Sequence, residues 1–179
     1  MFLFRMLTRK GGHAMDPLQV SMTGVRMGER FLQIGCHDRA LLSGLAAKVG
    51  LSGTAAVAAF DEAQAKRAGG VGAKIGALIE THRIEGLALP FDSDQFDMIV
   101  VDDTGGTFAA IDETSRVSYL RDARRVVRAG GRIEVIEGTH ARAQGYDAVR
   151  DLTAAGFKPV RVLAERDGFK FIEGLRPQS

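Results

Sequence analysis

The chain has 179 residues, 45% of them apolar and 26% charged, which suits one domain with a sizeable core and leaves little for a second. A formal net charge of +2 neither demands nor excludes a polyanion partner, while an aromatic share of 7% without any Trp argues against a broad base-stacking surface and so against nucleic acid. The single Cys excludes an internal disulfide and fits a reducing, cytoplasmic setting, and no apolar run reaches membrane-spanning length.

Residues 1–29 read as an N-terminal arm and lead-in segment, and residues 30–179 as the domain. MFLFRMLTRKGG mixes apolar and basic types and is expected to be a mobile or loosely packed arm. A surface anchor or a dimer contact is the alternative, and Met15 an alternative start. Asp16-Pro17 resembles a helix start, with Asp as the cap, and Gly24 and Gly28 keep that helix short.

A strand is expected over Arg30 to Ile34, followed by a tight turn at Gly35. Leu41, Leu42, Leu45 and Val49 mark one side of a helix over Arg39 to Lys48, stopped by Gly50. Thr54 to Phe60 is continuously apolar, as suits a parallel strand covered on both faces, and it runs into Asp61. Residues 62–77 have helix-forming side chains but three close glycines, which predicts a helix ending near Gly69 or an irregular one. A third strand over 78–84 is interrupted by Glu80, His82 and Arg83. Pro90 and Asp92 to Asp94 make turns before a fourth strand, Phe96 to Val101, with Asp102 and Asp103 at its carboxyl end.

Glu113 to Arg128 is an amphipathic helix, and Gly130-Gly131 turns the chain into a fifth strand over 132–137. A helix over 143–155 is stopped by Gly156, and strands over 160–164 and 169–175 are close enough to form an antiparallel hairpin. This alternation predicts an α/β fold: a doubly wound, seven-stranded, mostly parallel sheet with a C-terminal antiparallel hairpin.

Several residues carry chemistry. A carboxylate at the end of a central parallel strand, as Asp61 is, accepts hydrogen bonds from two ribose hydroxyls, or else caps the next helix. Asp102 reads as a contact to a cofactor or substrate amine, or as a turn cap; with Asp103 it lacks the further acids that a metal site needs. His37 is a base near the reacting end of a ligand, or a cap and pocket filler. Arg39 is an anion contact at a helix start or a solvated side chain. His140 lies near a substrate entrance or on a surface loop. Cys36 reads as a small buried residue. Arg116, Arg121, Arg124, Arg125 and Arg128 read as a solvated basic face, with contact to an acidic partner or nucleic acid as the alternative.

Taken in order, FLQIGCHDR, AAVAAFD, EGLALPFDSDQFDMIVVDD, YLRDARRVVRAGGRIEVIE and GFKPVRVLAERDGFKFIEGLRP resemble the motifs of class I S-adenosylmethionine-dependent methyltransferases of the small-molecule type, over residues 30–176. The resemblance implies a Rossmann-like methyltransferase fold and S-adenosyl-L-methionine as cofactor. Gly35 matches the first glycine of the cofactor turn. Asp61 would bind the ribose. Glu85 falls near the adenine amino group, with Gly86 and Leu87 along the base, and Asp102 lies by the methionine end and the transferable methyl. Three positions depart from the pattern: Gln33 stands for the usual acid, and His37 and Arg39 for the second and third glycines. The expected activity is direct methyl transfer to an unidentified substrate. The rival is a non-catalytic methyltransferase-like module that binds or assembles with a partner protein. There is little material for a substrate cover, so a large substrate or a partner subunit is expected to provide one, and a homodimer is reasonable. A nicotinamide enzyme is disfavoured, because the turn lacks G-x-G-x-x-G spacing.

Overall fold

Apolar strands set the architecture, because segments buried on both faces stack only at the centre of a sheet. A computed structural model of the chain describes residues 17–178, so the expected arm and the Asp16 cap lie outside the described residues. The elements are α1 (Leu18–Thr23), β1 (Arg30–Ile34), α2 (Arg39–Val49), β2 (Thr54–Ala59), α3 (Glu62–Ile75), β3 (Ile79–Arg83), β4 (Phe96–Asp103), α4 (Glu113–Val126), β5 (Val127–Gly138), α5 (Ala148–Ala154), β6 (Val160–Arg166) and β7 (Phe169–Leu175). One sheet orders them β3-β2-β1-β4-β5-β7-β6. The first five strands are parallel, and β7 runs antiparallel to both β5 and β6. This is the doubly wound sheet with a closing hairpin that the sequence predicts. The strand order reverses between β1 and β4, so a crevice forms beyond their carboxyl ends.

The two-residue period of the strands divides the core into two layers. Leu32, Ile34, Ile99, Val101, Ile133 and Val135 meet Leu120, Leu152 and Phe157 on one face. Phe31, Val57, Met98, Val100 and Ile136 meet Leu41, Leu45 and Val71 on the other. Each fully buried aliphatic or aromatic side chain contributes roughly 1.5–3 kcal/mol.

Some boundaries differ from expectation. The helix expected to fail near Gly69 runs on to Ile75. Asp61 caps its start, Gly76 ends it in a left-handed conformation, and Ala68 and Val71 are buried. Gly72 has a packing reason, since a Cβ there would lie 3.0 Å from the Ala77 carbonyl oxygen. Gly69 has none: a Cβ there would meet nothing within 4 Å. Gly69→Ala should therefore raise stability by about 1 kcal/mol, read as a higher denaturation midpoint in urea.

The helix expected from residue 143 begins only at Ala148. A 3-10 turn, Thr139–Ala141, and positive-φ Gly145 precede it, and Asp147 caps it by accepting N–H bonds from Val149 and Arg150. β5 starts five residues early, and Gly130-Gly131 falls within it, beside a register shift against β4. The arginines of α4 are not a uniformly solvated face. Arg116 is buried against Asp151, and Arg125 pairs with Asp122 and donates to the Leu89 and Phe91 carbonyls.

Glu134 points into the sheet core, 1% exposed, with Oε1 unpartnered among the described residues and Glu173 opposite it on β7. Burial, then the Glu173 charge, pushes its carboxyl from 4.5 up to about 8. The folded state therefore holds this proton more tightly than the unfolded chain does. Stability should fall as pH rises from 4.5 towards about 8 and level off above. Glu134→Gln should flatten that slope in denaturation measured across the same pH range.

Candidate functional site

The register of β1 on β4 pairs Ile34 with Val101, which sets Asp102 beside Gly35. One Asp102 oxygen accepts N–H bonds from His37 at 2.7 Å and Asp38 at 2.8 Å. The other accepts from the Thr104 hydroxyl at 2.6 Å and the Thr104 N–H at 3.2 Å. Gln33 lies buried beneath the turn; its amide donates to the Gly35 carbonyl at 3.0 Å and reaches Asp102 at 3.5 Å. A carboxylate from β4 thus lies beside the Gln33 side chain of β1. The Gln33 Oε1 atom is buried without a partner among the described residues.

Gly35 has φ of +79°, and a Cβ there would stand 3.1 Å from the Asp102 carbonyl oxygen, so glycine is required on both counts. Gln64, on α3, stitches the turn to the end of β2. Its side-chain oxygen accepts N–H bonds from Cys36 and Phe60, both at 3.2 Å. Arg67 donates to the Cys36 carbonyl. The Cys36 thiol is buried, and burial, then the Asp102 charge, pushes its pKa up to about 11, so it is not a poised nucleophile.

His37 and Arg39 are exposed. The His37 ring lies flat against the chain at Gly105, where a Cβ would come within 2.5 Å of its Nδ1. With Asp38, Arg67, Thr104 and Phe169 these two line an open depression of about 540 Å³ above the turn. Asp61 is exposed; one oxygen accepts the Gln64 N–H at 2.8 Å, and the other has no partner among the described residues. Glu85, Gly86 and Leu87 form an exposed turn closed by a bridge between Glu85 and Ala88. The Tyr119 hydroxyl donates to the Gly86 carbonyl at 2.8 Å. His140 is exposed on the 3-10 turn, away from any partner among the described residues.

The aromatic wall is what sequence reasoning passed over. The Phe60 ring packs over Gly35, 3.5 Å from where a Cβ would be. It meets the Tyr119 ring edge-on at 5.7 Å and lies 6.4 Å from Phe108. An aromatic residue immediately before the expected ribose acid was the available signal.

A second group missed lies at the ends of β4 and β5. Asp103 is buried, in register with Glu137, and accepts N–H bonds from Phe108 at 2.8 Å and Ala109 at 3.2 Å. Burial pushes its carboxyl up to about 7 against those two bonds, with Glu137 and Asp102 adding to the rise. The Tyr146 hydroxyl is buried and unpartnered among the described residues, and its acidity is suppressed by burial and by the Asp103 and Glu137 charges. Among the described residues no three His, Cys, Asp or Glu side chains are grouped to hold a metal ion.

The model of the ubiE/COQ5 methyltransferase family matches residues 15–173. The chain belongs to that family. No curated protein matches it by sequence. Its fold is similar to a SAM-dependent methyltransferase from Aquifex aeolicus, at 17% identity over 87% of this chain and 86% of that one, with a TM-score of 0.72. It is also similar to the YcgJ protein from Bacillus subtilis, at 11% identity over 90% and 97% of the two chains and a TM-score of 0.67. The [4+2]-cyclase SpnF is similar too, at 15% identity over 90% and 79%, with a TM-score of 0.65. At such identities the likeness is one of fold, and a cyclase among these structures shows that the fold alone does not name the reaction. Among the described residues of this family member, no helix is long and apolar enough to cross a membrane.

Proposed function

We propose that the chain binds S-adenosylmethionine along the turn after β1 and transfers its methyl group to a nucleophilic acceptor above β4 and β5. The observation that carries this reading is the organised turn, with Gly35 in a glycine-only conformation, Asp102 fixing two successive N–H groups, and the Gln33 acceptor unpartnered beneath them. That orphaned oxygen fits the ammonium of the cofactor's methionine portion, and Asp61 keeps one free oxygen for a ribose hydroxyl. The Tyr119 hydroxyl ties the Phe60–Tyr119 pair to the Gly86 carbonyl, so the base would rest against the Glu85 to Leu87 turn. When bound, the cofactor supplies an electrophilic methyl on a sulfonium. The turn and the aromatic wall orient the reacting groups and keep bulk water out.

The non-catalytic reading is supported by one feature, the Phe60 ring lying over Gly35. Calorimetric titration with S-adenosylmethionine and its demethylated product separates the two. Saturable binding is expected; no heat from either compound, in the parent and in Phe60→Ala alike, would leave the binding module. Asp61→Ser keeps a helix cap but removes the carboxylate. It should weaken binding at least about tenfold, or about 1.4 kcal/mol, with little change in stability. Unchanged affinity would make Asp61 a cap only.

A further inference from the structure

Outside that crevice, a groove of about 500 Å³ runs between α2 and α3. Arg39 lines it from α2, and Lys66, Arg67 and Lys74 line it from α3, over an apolar floor that includes Val71 and Ile75. Among the described residues no acidic side chain lines it. Arg39, Lys66 and Lys74 make no ion pair among the described residues, so their charge is uncompensated. Arg67 is held at the mouth by the Cys36 carbonyl.

Gly70 sits one helical turn from Lys66 and one turn from Lys74. A Cβ on Gly70 would meet nothing within 4 Å, so the fold has no packing need for glycine there. Its bare backbone leaves an open bed between two ammonium groups, with a guanidinium facing it from the other helix. Four cations around one bed repel one another unless an anion lies among them.

We infer that this groove binds the phosphate groups of a small diphosphate-bearing molecule. The volume lies in the range of small-ligand sites, roughly 300–1,000 Å³. The backbone positions of Lys66 and Lys74 are about 12 Å apart along the helix axis with Gly70 midway, so two long side chains reach one diphosphate lying over Gly70 from opposite ends. Arginine and lysine together match phosphate by bidentate and point-charge contacts. The apolar floor takes the uncharged part. The groove adjoins the depression above the β1 turn, sharing Arg39 and Arg67 with it, while Lys66, Gly70 and Lys74 belong to the groove alone.

The test is calorimetric titration of the full chain with inorganic pyrophosphate. Saturable binding with Kd below about 1 mM is expected, weakening as salt rises. Lys66→Gln with Lys74→Gln should weaken it at least tenfold, and Gly70→Glu, which sets a carboxylate on the bed, should abolish it. Arg121→Gln, at an exposed position on α4, should leave it unchanged, and circular dichroism shows that each variant is folded. No saturable binding, or equal affinity in the double variant, overturns the inference. So does a polyglutamate peptide that binds through Lys66 and Lys74 where pyrophosphate does not, since the groove would then dock protein.

Discussion

Asp151→Ala should destabilise the fold by about 3–5 kcal/mol, because it strands a buried cation. Arg116 is 5% exposed and Asp151 0%, and the guanidinium Nε donates to the carboxylate at 2.7 Å. The rest of the guanidinium donates to the Ala109 and Ile111 carbonyls and lies over the Tyr146 ring, 4.8 Å from its centre. Without Asp151 those neutral partners remain but no negative charge does. Arg116→Met should cost less, because Arg150 still stands 3.4 Å from Asp151. The double replacement Arg116→Met with Asp151→Leu should recover much of the loss, since no ion is then left buried. Urea denaturation of the three variants checks this; a single Asp151→Ala loss under 1 kcal/mol would show that the pair is not coupled. The clamp joins α4 to α5 and fixes the 109–111 segment beside Asp103, so the variants also report on how firmly the acceptor side is held.

The second large effect concerns the cofactor turn. Asp102→Ala should lower affinity for S-adenosylmethionine about 100-fold or more, a loss of about 2.8 kcal/mol. Four hydrogen bonds converge on this carboxylate, two of them from the successive N–H groups of His37 and Asp38. Charge-assisted bonds of this kind contribute roughly 1.5–3 kcal/mol each, and without them the His37 and Asp38 N–H groups lose their shared acceptor, leaving Gln64 and Arg67 to hold Cys36 alone. The Gln33 side chain already reaches Asp102 at 3.5 Å. Gln33→Asp placed in the Asp102→Ala background should therefore restore part of the affinity, because it returns a carboxylate to the same few ångströms. Calorimetry on the single and double variants decides it. Full affinity in Asp102→Ala would mean that the turn is set by the fold around it and not by this residue.

The sequence made the sheet readable because β2 is almost wholly apolar and β1 is apolar apart from Arg30 and Gln33, the two bounded by Gly35 and Asp61. α3 was misjudged for a physical reason: three glycines lower its intrinsic propensity, but burial of Ala68 and Val71 overrides it. Gln33, His37 and Arg39 could be seen as departures from a glycine turn. That Asp102 lies beside Gln33 could not, since they are 69 residues apart and meet only through the β1–β4 register. Arg116 posed the same problem, because a helical arginine reads as solvated until its partner on another helix is known. Asp61 remains ambiguous on sequence grounds for a simpler reason: one carboxylate can cap α3 and still offer an oxygen.

At the far end of the hairpin, β6 is the edge of the sheet, with no strand beyond it among the described residues. Pro159 precedes it, its pairing slips between Val162 and Ala164, and Arg161, Glu165 and Arg166 stand exposed along it. A foreign strand approaching there meets a crooked, charged border instead of a flat ladder of free amides. Fibril-like stacking through this margin is accordingly discouraged, and two copies of the chain that associate would do better to meet through their helical layers.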